Sequence, residues 1–129
     1  MRNSVRVVLA AGLTALAAAA AAQGTGWHTI GQAKAAADSA KVVIAARGEP
    51  RNREIMFCID GHGMNLLNAT IAFEGGRTQS IKINERLADG RCSRGRPLSG
   101  RNKGAQSAEI TYDPASLAGG TARVQLFVR

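Results

Sequence analysis

Aromatic side chains are scarce: one Trp, one Tyr and three Phe in 129 residues. That leaves no ready platform for stacking sugars or nucleobases. Histidine and cysteine occur only twice each, as His28, His62, Cys58 and Cys92, and their spacings match no zinc module. No metal site and no cofactor is therefore implied. The cysteines are too far apart for a Cys-x-x-Cys redox motif. Phosphate-binding glycine loops and the Gly-x-Ser-x-Gly nucleophile turn are both missing. The nine acids stand singly, so no pair of facing carboxylates of the glycosidase kind can be read from spacing. Beyond Ala22 no apolar run is long enough to cross a bilayer as a helix.

What is present begins with a leader. Arg2 and Arg6 precede an uncharged apolar stretch, Val7 to Ala22, that ends in Ala20-Ala21-Ala22. A positive start, an apolar centre and a small-residue end are the parts of a cleavable secretory signal. The expected organisation is thus a signal peptide over 1–22 and one domain over 23–129. The protein is expected to be exported, to the periplasm or beyond, and not to span the membrane. Losing two arginines with the leader takes the formal net charge from +8 to +6, still clearly basic. In an oxidising compartment Cys58 and Cys92 are expected to form one disulfide, the alternative being two free thiols.

The mature chain reads as short strands between turns. Trp27–Gln32 and Lys41–Ala45 are expected strands, with the alanine-rich stretch between them either a helical turn or a loop. Over Glu54–Asp60, Ile55, Phe57 and Ile59 alternate with Met56 and Cys58, so both faces are apolar and the strand is expected to be covered on both sides. Ala69, Ile71 and Phe73, then Gln79, Ile81 and Ile83, flank Gly75-Gly76-Arg77 as a hairpin. A two-residue Gly-Gly turn would put Ile81 and Ile83 on the wrong face. A three-residue loop over 75–77, pairing Ile71 with Ile81, restores it. Residues 85–104 read as irregular, with a brief strand near Pro97 and Leu98. Strands around Ala108–Tyr112 and Ala122–Val128 close the chain. Six to eight short antiparallel strands without a long helix predict an all-β fold, a small jelly-roll-like β-sandwich.

Several of these pieces together resemble a family of small exported bacterial proteins whose domain has no assigned function. They are Trp27-His28-Thr29-Ile30-Gly31, the Glu54–Asp60 strand, the glycine hairpin with Gln79, Cys92-Ser93-Arg94 leading to Leu98 and Gly100-Arg101, and Ala122-Arg123-Val124-Gln125-Leu126. The resemblance implies a periplasmic β-sandwich and carries over no catalytic residue. The hairpin departs from the pattern, with Gly75-Gly76 in place of Asn-Gly, and the stretch after Pro97 is more basic.

Two segments could carry chemistry. Arg86, Arg91, Arg94, Arg96, Arg101 and Lys103 form a basic run with no acid between Arg91 and Lys103. Guanidinium forks suit phosphate and carboxylate. Outside the cytoplasm such partners include lipid A phosphate, anionic lipid, peptidoglycan and acidic protein, while nucleic acid is not expected. The bland alternative is a solvated loop. Asp60-Gly61-His62-Gly63 offers a carboxylate and an imidazole two residues apart, the starting point for a small periplasmic hydrolase, or simply a tight polar turn. A non-enzymatic envelope-binding module using the basic stretch 86–103 is the favoured expectation. Besides the hydrolase, a structural subunit pairing through a sheet edge is the other alternative.

Overall fold

A computed structural model describes residues 26–129; the expected leader over 1–22 lies outside them. Eight strands follow in order: β1 His28–Ala36, β2 Lys41–Ala45, β3 Glu54–Asp60, β4 Met64–Phe73, β5 Thr78–Leu87, β6 Arg96–Pro97, β7 Ala105–Asp113 and β8 Thr121–Val128. They form two four-stranded antiparallel sheets, ordered β1-β8-β3-β6 and β2-β7-β4-β5. First pairs with eighth, second with seventh, third with sixth and fourth with fifth. That is one long hairpin folded over on itself, the winding of a jelly roll. The all-β expectation holds.

The inner faces bury Ile55, Phe57, Ile59, Leu66, Ile71, Ile110, Val124 and Leu126 in one core. Tyr112 reaches across it: its hydroxyl donates to the Ala36 carbonyl at 2.6 Å and accepts from the Ala36 amide at 3.2 Å. The outer side of β3 is covered as its two-faced pattern requires. Met56 and Cys58 pack there with Trp27 and Phe127 in a second, smaller cluster. The Cys58–Cys92 disulfide pins the following segment over this cluster. Residues 90–93 then bond along β3: Gly90 donates to Ile59, Ile59 to Arg91 and Ser93 to Phe57, while Phe57 donates to Ser93 Oγ.

Three expectations change. The alanines at 33–36 belong to β1, because pairing with β8 (Ala33 with Val124, Ala35 with Ala122) outweighs their weak strand preference. The irregular stretch begins later than 85, since β5 runs to Leu87. The hairpin loop has three residues, but they are Glu74–Gly76. Ala72 pairs with Thr78 and Ile71 with Gln79, not Ile81. The shift is two residues, so every side chain keeps its face and hydrophobic pattern alone cannot detect it. What decides is the backbone: Gly75 and Gly76 both sit at φ +94°, which places the two glycines inside the loop.

Candidate functional site

The winding sorts the loops to two ends. Turns 37–40, 61–63, 88–90 and 114–120 lie at one, the loops 46–53, 74–77 and 98–104 gather with the C-terminus at the other, and residues 91–95 run along β3 between the two ends. All four aspartates, Asp38, Asp60, Asp89 and Asp113, fall in or beside the first set of turns. The opposite end carries Arg47, Arg51, Arg53, Arg77, Arg101, Lys103 and Arg129 against Glu49, Glu54 and Glu74. Two of those acids are engaged: Glu49 lies 3.7 Å from Arg51, and Glu54 2.6 Å from Arg129.

Two buried asparagines knit this basic end. Asn52 Oδ1 accepts from the Glu49 amide at 2.7 Å. Asn102 Nδ2 donates to the carbonyls of Asn52 and Ser99, and its Oδ1 accepts from the Gly104 amide at 2.9 Å. The Glu74 amide in turn donates to the Gly104 carbonyl, tying the hairpin tip to the 98–104 loop. Between them lies an open cavity of about 220 Å³ lined by Phe73, Glu74, Gly75, Arg77, Arg101 and Lys103. A second, of about 150 Å³, adjoins it and shares Phe73 and Arg77. Among the described residues Arg77, Arg101 and Lys103 make no ion pair. Three cations around one depression, on loops fixed by buried hydrogen bonds, suit an anion.

The structure divides the basic run seen in the sequence. Only Arg101 and Lys103 reach this cavity. Arg96 is largely buried and points inward: its Nη2 donates to Glu85 Oε2 at 2.6 Å and to the Ile83 carbonyl at 3.0 Å. It thereby seams β6 to β5 across the open edge of the sandwich. Arg94 lies 3.8 Å from the same carboxylate but is mostly exposed. Arg91 is exposed, with its backbone held against β3. Arg86 stands on the outer side of β5, opposite Asn65. Arg77, Asn52 and Asn102 were not singled out by sequence. Their one legible signal is turn chemistry, with Asn102 two residues before Gly104 and Arg77 directly after Gly75-Gly76.

Arg96 is thus a stability residue. Arg96→Ala is expected to cost about 2–4 kcal/mol, because Glu85 and the Ile83 carbonyl lose their partner. Arg94→Ala should change stability by less than about 0.5 kcal/mol, as exposed pairs do. Thermal melts of the two variants side by side check this; equal melting temperatures would refute the assignment.

No hydrogen bond joins Asp60 to His62 in the Asp60–Gly63 turn. His62 Nδ1 lies 2.6 Å from the Gly63 carbonyl, and its ring faces Gly120. Asp60 instead borders a cavity of about 330 Å³ with Lys34, Gly61, Thr121, Ala122 and Arg123. The nearby Ser116 hydroxyl is committed to the Asp113 carbonyl and the Asn65 amide. Among the described residues no three His, Cys, Asp or Glu converge as metal ligands, and no helix is long and apolar enough to cross a membrane. The edge of β5 is partly covered: Gln79 bonds the Pro97 carbonyl and the Ser99 amide, and Arg96 takes the Ile83 carbonyl.

A family model described as a domain of unknown function, DUF2541, matches residues 7–128, starting within the expected leader. No curated protein matches the chain. Among solved structures, AlgX of Pseudomonas aeruginosa is similar at a TM-score of 0.48 and 16% identity, over 76% of this chain and 26% of AlgX. The chain thus spans about a quarter of that protein. The C-terminal domain of a structural protein of sulfolobus turreted icosahedral virus follows at 0.44 and 10%, over 80% and 98%. The CBM22-1 xylan-binding domain of Paenibacillus barcinonensis Xyn10C gives 0.34 and 13%, over 79% and 85%. At such identities no site residue of those proteins transfers.

Proposed function

The chain belongs to the DUF2541 family, and for this member we propose a non-enzymatic binding module of the cell envelope that holds an anionic partner at its basic end. The observation that carries the reading is the cavity where Arg77, Arg101 and Lys103 converge without ion pairs. Guanidinium groups held on a fixed scaffold bind phosphate or carboxylate at little entropic cost. Export is part of the proposal: the Cys58–Cys92 disulfide supports an oxidising compartment. Lipid A phosphate, anionic lipid headgroups, peptidoglycan carboxylates and acidic proteins share the required chemistry.

The test is retention of the protein on separated envelope fractions at low and high salt. Capture by one fraction is expected to fall steeply as salt rises. The triple variant Arg77→Gln/Arg101→Gln/Lys103→Gln should lose it by about tenfold or more, the effect of removing charge-assisted contacts. Arg91→Gln/Arg94→Gln removes two positive charges elsewhere, against three in the triple variant, and should retain it. Equal retention of the triple variant and the parent protein would sink the proposal.

A further inference from the structure

A second site lies apart from the basic end, on the outer face of the β2-β7-β4-β5 sheet. Here the ladder slips twice at one level. Leu66 pairs with Tyr112 and Asn68 with Thr111, so Leu67 is an extra residue in β4. Leu66 pairs with Glu85 and Asn68 with Lys82, so β5 carries one residue more again. Two successive bulges interrupt the ladder and bend the bulged strands. In β5 the slip is taken up by Asn84, at φ +46°, a left-handed conformation that a residue with a Cβ enters at a cost. Asn65, directly opposite Arg86, keeps its Oδ1 buried without a hydrogen-bond partner among the described residues. Leu67 is exposed. Bulges, left-handed backbone and an unpaired amide oxygen each cost stability, and all of them border one depression of about 300 Å³.

We infer that this depression binds a hydroxylated carboxylate of the acidic-sugar type. Arg86 is its charge without an ion pair among the described residues, while Glu85, which also lines the depression, has its carboxylate paired with Arg96 and Arg94. A guanidinium selects a carboxylate. The exposed Asn84 amide offers a donor and an acceptor to adjacent hydroxyls. Leu67 gives the C–H side of a ring an aliphatic contact, with no aromatic stacking. The site shares no residue with the Arg77, Arg101 and Lys103 cavity and stands or falls separately from it.

The experiment is titration of the disulfide-bonded protein with galacturonic acid, followed by amide nitrogen–proton correlation spectra, with galactose and acetate in parallel. Saturable shifts are expected at Leu67, Asn84 and Arg86 with galacturonic acid, and about tenfold weaker ones with galactose or acetate. Arg86→Gln should weaken the galacturonic acid response about tenfold and leave galactose unchanged. Asn84→Gly should weaken both sugars while the melting temperature holds or rises, because glycine relieves the left-handed backbone. That rise separates a lost ligand contact from a damaged fold. The inference is overturned by any of three results: no saturable shift at these amides, acetate binding as well as galacturonic acid, or shifts confined to residues 77, 101 and 103.

Discussion

Replacing both cysteines, as Cys58→Ala/Cys92→Ala, is expected to lower the melting temperature by roughly 12–20 °C. The bridge joins residues 34 apart in sequence, and in the chain-entropy model such a closure contributes about 3–4 kcal/mol. For a domain of this size each kcal/mol moves the midpoint by about 4–5 °C. Packing adds to the loss, because Cys58 is fully buried and belongs with Trp27, Met56 and Phe127 to the cluster on the outer side of β3. Trp27 is the single tryptophan of the chain, so its emission reports on this cluster directly. The variant should show altered Trp27 fluorescence at 20 °C while keeping its strand content, since residues 90–93 retain their backbone bonds to β3. Calorimetry and fluorescence decide the matter. An unchanged melting temperature would mean that those bonds and the β3–β6 pairing hold the segment without the bridge.

The legible parts of the fold were those in which local pattern and burial agree. Glu54–Asp60 alternates between two apolar sets, and the molecule does cover both, one with the main core and one with Trp27 and the disulfide. The hairpin face was legible and its register was not, because a slip of two residues preserves every face. The end of β5 was hidden for a different reason. Glu85 and Arg86 look like loop residues until Arg96, brought close only by the β3–β6 pairing, supplies the Glu85 partner.

The candidate site was half legible on the same grounds. A run of cations along the chain shows charge but not direction. Arg101 and Lys103 turn to the end of the sandwich, whereas Arg96 turns into the seam between the sheets. Arg77 joins the first pair from a hairpin 24 residues upstream of Arg101, a proximity that only the jelly-roll winding creates. The double bulge at Leu67 and Asn84 left no mark in the sequence at all. Single inserted residues in strands keep the composition of a strand.

Gly104→Ala is the substitution expected to damage fold and basic end together, by about 2–5 kcal/mol. Gly104 sits at φ +101°, where a residue with a Cβ pays about 1–2 kcal/mol. A Cβ there would also meet the Gly48 carbonyl oxygen at 2.5 Å. Backbone cannot swing aside as a side-chain tip can, so relieving the clash means parting the 46–53 and 98–104 loops, at a further cost of about 1–3 kcal/mol. Gly76→Ala isolates the first contribution. Its φ is also positive, at +94°, but nothing lies within 4 Å of the added carbon, so a loss of only about 1–2 kcal/mol is expected. Denaturant melts of the two variants should therefore differ by the cost of the clash. The same comparison bears on binding. Gly104 accepts from the Glu74 amide and donates to Asn102 Oδ1, so moving it shifts Lys103 relative to Arg77. Under conditions where it stays folded, Gly104→Ala should retain less of the anionic partner than Gly76→Ala, although both keep every charge. Equal retention by the two would show that net charge alone, without the fixed geometry of the loops, governs capture.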